Sequence, residues 1–152
     1  MKRKSVLPVL LLTASLFFSG CSSQPKMKDG FYTAEMSDYS FGWKEYVCIM
    51  VKNNKIVSVE YNAKNASGYI KAWDNNYMGN MLPVSGTYPN EYTRYYASEL
   101  IEQQADIKVD TLTGATSSGN NFAKLSKAVI EQAKQGDSQT VIVKSEPNEE
   151  EK

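Results

Sequence analysis

The 152-residue chain contains no histidine, only two cysteines (Cys21 and Cys48) and only five prolines. Without imidazoles, and with so few thiols, it lacks the ligands of the common haem, zinc-thiolate and iron–sulfur sites. Positive charge is in no excess either. Seventeen Lys and Arg balance 17 Asp and Glu with no basic cluster, which argues against nucleic acid as a partner. The apolar run Val6 to Phe18 is broken by Pro8, Thr13 and Ser15 and falls short of the about 20 residues that a membrane-crossing helix needs. What the chain does have is flat aromatic surface, 10 Tyr and 2 Trp, although tyrosines are equally at home in half-buried sheets.

The N-terminal segment has its own logic. Met1-Lys2-Arg3-Lys4 is a positive start, the apolar stretch follows, and Phe18-Ser19-Gly20-Cys21 closes it with small residues and a cysteine. Residues 1–20 therefore have the layout of a cleaved secretion signal. The ending resembles the lipobox of bacterial lipoproteins. That resemblance implies that Cys21 is diacylated and becomes the mature N-terminus of an extracytoplasmic domain anchored to a bacterial membrane. Two acyl chains hold a soluble domain where one does not. Loss of Lys2, Arg3 and Lys4 leaves a mildly acidic chain, and a lipidated Cys21 leaves Cys48 no partner for a disulfide. Cys48 lies in the alternating run Tyr46 to Val51 and reads as a small buried hydrophobe.

The remainder divides into a polar tether over 21–28, one folded unit over 29–143 and an acidic, disordered tail over 144–152. Phe31 to Met36 alternates like a strand. Lys44 to Lys52 and Ile56 to Asn62 flank Asn53-Asn54-Lys55, the signature of a β-hairpin with Val57, Val59 and Tyr61 on one face. The spacing of Ile70, Trp73, Tyr77, Met78 and Met81 predicts an amphipathic helix, followed by a Gly- and Pro-bearing loop over 82–89. A second helix from Asn90 to about Ala105 aligns Tyr92, Tyr96 and Leu100. A third, after Thr116, aligns Phe122, Leu125, Val129 and Ala133 and stops at Gly136. Thr140 to Val143 reads as a last short strand. The expected fold is α+β, an antiparallel sheet with a hairpin packed against about three helices in a single compact domain.

The chemistry concentrates in Asp110-Thr111-Leu112-Thr113-Gly114-Ala115-Thr116 and the following Ser117-Ser118-Gly119. The β-branched segment Ile107 to Val109 predicts a strand that runs through a tight turn into the third helix. Helix N-termini expose unpaired N–H groups and the positive end of the macrodipole, so such a start suits a phosphate. Gly114 and Ala115 permit close approach of the backbone. The residues alone leave another reading open, in which Thr116, Ser117 or Ser118 is an ordinary N-cap and Gly114 an ordinary turn residue.

The heptad Asp-x-x-Thr-Gly-Ala-Thr resembles the motif of the FMN-binding domain family. The resemblance implies that Thr116 carries flavin mononucleotide through a phosphoester. Asp110 and Thr113 would act in recognition or loop shaping, and Gly114, Ala115 and Ser117 in cofactor binding. It further implies a dedicated flavin transferase that, with magnesium, moves FMN from FAD onto the hydroxyl. An outside enzyme is physically sensible, because an unassisted threonine hydroxyl is a weak nucleophile. Upstream, Gly42-Trp43-Lys44-Glu45-Tyr46 and Gly68-x-x-Lys71-x-x-Asp74-x-x-Tyr77-x-x-x-Met81 look like the same family, so the resemblance runs from Asp29 to Gly136. Trp43, Tyr69 and Tyr77 would wall the flavin ring and Lys71 would neutralise phosphate or reduced flavin; core packing and a solvated lysine are the bland alternatives. The implied function is electron transfer between a membrane donor and a further acceptor, by a carrier more than by a substrate-converting enzyme. Two other readings stay open: a non-redox lipoprotein that binds a phosphate-bearing ligand or non-covalent flavin, and an interaction protein that has lost the cofactor.

Overall fold

The computed structural model describes residues 25–146. The leader over 1–20, Cys21 and the tail from Pro147 lie outside the described residues. Four strands form one sheet: β1 (Gly30–Met36), β2 (Lys44–Lys52), β3 (Lys55–Lys64) and β4 (Val141–Val143), in the order β3-β2-β1-β4. The helices are α1 (Asn75–Ser85), α2 (Pro89–Gln103) and α3 (Thr116–Gln135), with single 3-10 turns at Lys71–Trp73 and Gln104–Asp106. The α+β class is as the sequence predicts. The sheet is mixed, however, because β1 to β3 pair antiparallel whereas β4 joins β1 in parallel.

The hairpin turns through Asn53 and Asn54, both in the left-handed region at φ 53 and 61, where asparagine is tolerated well. The sequence expectation for β3 fails at one residue. Val51 pairs with Ile56 and Met50 with Ser58, so Val57 is left over as a bulge. The extra residue exchanges the faces: Ile56 is buried and Val57 is 48% exposed, while Tyr61 still points inward.

Helix α3 lays Phe122, Leu125, Val129 and Ala133 on the sheet, each with no exposed surface. They meet Tyr32, Ala34 and Met36 of β1 and Val47, Ile49 and Val51 of β2 in the core, and α2 contributes Tyr92, Tyr96 and Leu100. Tyr96 stacks on Phe122 with ring centroids 5.3 Å apart, and Tyr61 lies 4.8 Å from the same ring. Gly136 caps α3 in the left-handed conformation at φ 75.

Three further expectations are corrected. Ile107 to Val109 is irregular extended chain and pairs with no described strand. Helix α1 begins later and runs farther than predicted, through Pro83 to Ser85, and none of its residues is fully buried. Cys48 is half-buried, on the sheet face away from the helices. At the ends, packing extends beyond the expected boundaries. Met27 is buried, Ser145 exchanges hydrogen bonds with Ser37 and Asp38, and Lys124 pairs with Glu146.

Candidate functional site

A cleft of about 1210 Å³ opens where the start of α3 meets the loop between β1 and β2, the beginning of β2 and one side of α1. Gly114, Ala115, Thr116 and Ser117 line it, together with Ser118, Asn121 and Lys124 farther along α3. Asp110 and Thr113 do not reach its lining; both are exposed on the approach to the turn. The structure thus separates the motif into a half that faces the cleft and a half that faces outward.

Local geometry explains how the motif is held. Gly114 sits at φ 83, and a Cβ there would come within 2.0 Å of the Ser85 carbonyl oxygen, so the turn packs against the end of α1 only because this residue has no side chain. The Tyr96 hydroxyl, inside the core, accepts from the Leu112 N–H (2.9 Å) and donates to the Ala115 carbonyl (3.2 Å). One phenol thereby clamps both sides of the turn. Gly119 gives that hydroxyl its room, since a Cβ would meet it at 2.5 Å.

Helix α3 starts at Thr116, with Ala115 as its N-cap and no side chain bonded there in a capping role. The reading of Thr116, Ser117 or Ser118 as an ordinary N-cap is therefore set aside. The first N–H groups of a helix have no partner within it, and here the residues that carry them, Thr116, Ser117 and Ser118, line the cleft, with Thr116 exposed. An oxyanion at this position gains from the N–H groups and from the macrodipole.

Opposite lies a polar cluster built around Glu45, a residue that the sequence reading left without a role. Glu45, at the start of β2, accepts from the Ser118 hydroxyl and the Asn121 amide, each at 2.7 Å. Burial pushes its pKa up, although those two hydrogen bonds and the positive charge of Lys71 pull it back toward the ordinary value. The Tyr61 hydroxyl donates to the Ser118 carbonyl at 2.8 Å; burial, followed by the charge of Glu45, raises its pKa far above that of a free phenol. Lys71 places its ammonium 4.5 Å from the centroid of Tyr77 and 5.9 Å from that of Trp43. Burial lowers its pKa, but Tyr92, Tyr77 and Glu45 outweigh that effect and the net shift is upward, so it stays cationic.

Trp43, Lys71 and Tyr77 line the cleft, and Tyr92 joins them. Tyr69 does not: its ring meets Trp73 edge-on at 6.5 Å and its hydroxyl donates to the Trp73 carbonyl. Glu45, Asn121, Tyr92 and Tyr96 complete the site. The three-residue steps from Ser118 to Asn121 to Lys124 are a polar stripe that a helical wheel makes visible. No spacing connects Glu45 to it, because Glu45 arrives from a strand 73 positions away. Among the described residues no group of acidic or thiol side chains forms a metal site.

Fold and site together define a small α+β domain in which the start of a helix faces a cleft lined partly by aromatic rings. No protein-family model matches the chain. It is 31% identical over 124 residues to the 15 kDa lipoprotein of Treponema pallidum (strain Nichols), covering 81% of this chain and 88% of that protein, and it belongs to the same family. It is also similar to the crystal structure of the CPE2226 protein from Clostridium perfringens. That likeness has 37% identity and a TM-score of 0.75 and covers 79% of this chain and 99% of the other.

Proposed function

We propose that the protein is a lipid-anchored extracytoplasmic electron carrier, held to a bacterial membrane through Cys21 and bearing FMN esterified by its phosphate to Thr116. The observation that carries the reading is the placement of the Thr116 hydroxyl: exposed, at the first residue of α3, in a cleft walled by Trp43, Tyr77 and Tyr92. The residues fit the group. The α3 N-terminus suits its phosphate, Gly114 and Ala115 allow close approach, and the aromatic walls suit a flat ring. Lys71, kept cationic, favours an anionic ring and a phosphate alike. Bound there, flavin would supply one- and two-electron chemistry. Outside the cytoplasm a covalent bond retains a cofactor that would otherwise diffuse away. The lipoprotein name of the Treponema relative supports the anchor.

Attachment needs a flavin transferase, so the test is intact mass of the chain expressed with that enzyme. Wild type is expected to gain the FMN mass, Thr116→Ala to lose it and Thr116→Ser to keep it. A wild-type chain that stays unmodified, or a Thr116→Ala chain that keeps the mass, removes this assignment. Colour that dissociates on denaturation would instead support the non-covalent binding reading, and no colour the interaction protein.

A further inference from the structure

The point at which the described chain enters the domain and the cleft lie at opposite ends of the fold. Met27 is only 6% exposed, and its N–H donates to the Asn54 side chain in the hairpin turn at 2.8 Å. The Lys28 N–H donates to the Ala133 carbonyl and its ammonium to the Gln135 carbonyl, both at 2.8 Å. The chain therefore leaves the folded domain between the hairpin turn and the C-terminal end of α3. Two rulers lead from there to the cleft. Helix α3 has 20 residues, about 30 Å at the helical rise. Strand β2, followed from Asn53 back to Trp43, covers about 33 Å at the strand rise, and it runs beneath the same helix.

Cys21 precedes Met27 by six residues, which at full extension span about 20 Å. Turning the cleft onto the bilayer would lift the exit point about 30 Å above the surface, beyond the reach of that tether. The rim adds a second argument: Asp38, Lys124, Lys144 and Glu146 border the opening, and charges do not give up water for lipid without cost. We infer that the anchor holds the cleft on the side of the domain turned away from the bilayer, so that the cleft exchanges with a water-borne partner and not with a lipid-dissolved one. The inference rests on lipid attachment at Cys21 and is independent of flavin.

Energy transfer from tryptophan to a dansyl-labelled lipid headgroup tests it. The lipidated full-length chain, made without the flavin transferase, is reconstituted into phosphatidylcholine vesicles. Trp73→Phe leaves Trp43 as the reporter at the cleft. Lys55→Trp, combined with Trp43→Phe and Trp73→Phe, places the reporter beside the hairpin turn. Transfer is expected to be strong from position 55 and several-fold weaker from Trp43. Equal or stronger transfer from Trp43 overturns the orientation while leaving the anchor intact. A chain that lacks the acyl mass and does not float with vesicles overturns the anchor itself, and with it this inference.

Discussion

Glu45 is the residue on which most of the cleft's electrostatics turn, and its behaviour with pH follows from its surroundings. Its folded-state pKa lies above the ordinary value of 4.5 because burial outweighs the hydrogen bonds from Ser118 and Asn121. The folded state therefore binds its proton more tightly than the unfolded chain does. Its contribution to stability is full below pH 4.5 and is lost as pH rises through the raised folded value. Glu45→Gln has no charge to bury and keeps an acceptor for one donor, so it is expected to abolish that part of the decline. Urea midpoints from mildly acidic to neutral pH measure this; identical pH dependence in wild type and variant would sink the argument. Gly114 makes a simpler claim. Its φ of 83 and the 2.0 Å approach to the Ser85 carbonyl leave no room for a methyl group. Gly114→Ala is expected to cost more than about 2 kcal/mol, seen as a lower denaturation midpoint. An unchanged midpoint would mean that the turn and α1 are not in contact as described.

At the scale of elements, helix α1 stands apart from its neighbours. It contains Pro83, which removes one backbone hydrogen bond and crowds the preceding turn, and it has no fully buried residue. Helices α2 and α3 each contribute a fully buried stripe to the core. Local opening free energy follows buried apolar contact, so amides of α1 are expected to exchange hydrogen faster than those of α2 and α3 under native conditions. Since Tyr77, Met81 and Ser85 of α1 line the cleft, this would be the wall with the lowest opening cost. Equal protection in all three helices would refute it. The same contrast explains what was legible in the sequence. The α3 stripe of Phe122, Leu125, Val129 and Ala133 and the α2 stripe of Tyr92, Tyr96 and Leu100 could be read in advance, because a helix facing one core repeats its apolar residues at one period. The α1 pattern located a helix but not its bounds: Ile70 and Trp73 precede it, Trp73 is exposed, and only Met81 of the pattern packs against the core. Ile107 to Val109 looked like a strand because β-branched residues favour extended backbone, yet among the described residues it joins no ladder, and the Lys108 N–H goes instead to the Gln103 side chain. The Val57 bulge was invisible for a different reason, since one inserted residue leaves composition and turn chemistry intact while it exchanges the faces. In the site, the Thr116 turn was legible as a contiguous motif, whereas Glu45 and Tyr96 reach it only through tertiary contact.

For the whole molecule, the consequential joint is the one between anchor and domain. Met27 belongs to the buried core, its amide is tied to Asn54, and Lys28 is tied to the end of α3. The core thus sets where the tether ends, so under the inferred anchoring domain stability and orientation at the membrane would be coupled. Were Met27 merely the last residue of a loose linker, the flexible length between lipid and domain would grow and the restriction on the cleft would weaken. Met27→Ala separates the cases. Truncating a buried methionine costs about 2 to 5 kcal/mol where the cavity persists, and less where the site collapses. Here the neighbours are the hairpin turn and the end of α3, not the centre of the core, so the lower end of that range is expected. On vesicles the variant should also show increased energy transfer from Trp43 to labelled headgroups, because a freed segment lengthens the tether by the residues up to Asp29. Full stability together with unchanged transfer would mean that the domain is positioned by something other than this joint. Lost stability with unchanged transfer would place the restriction in Lys28 and α3 alone.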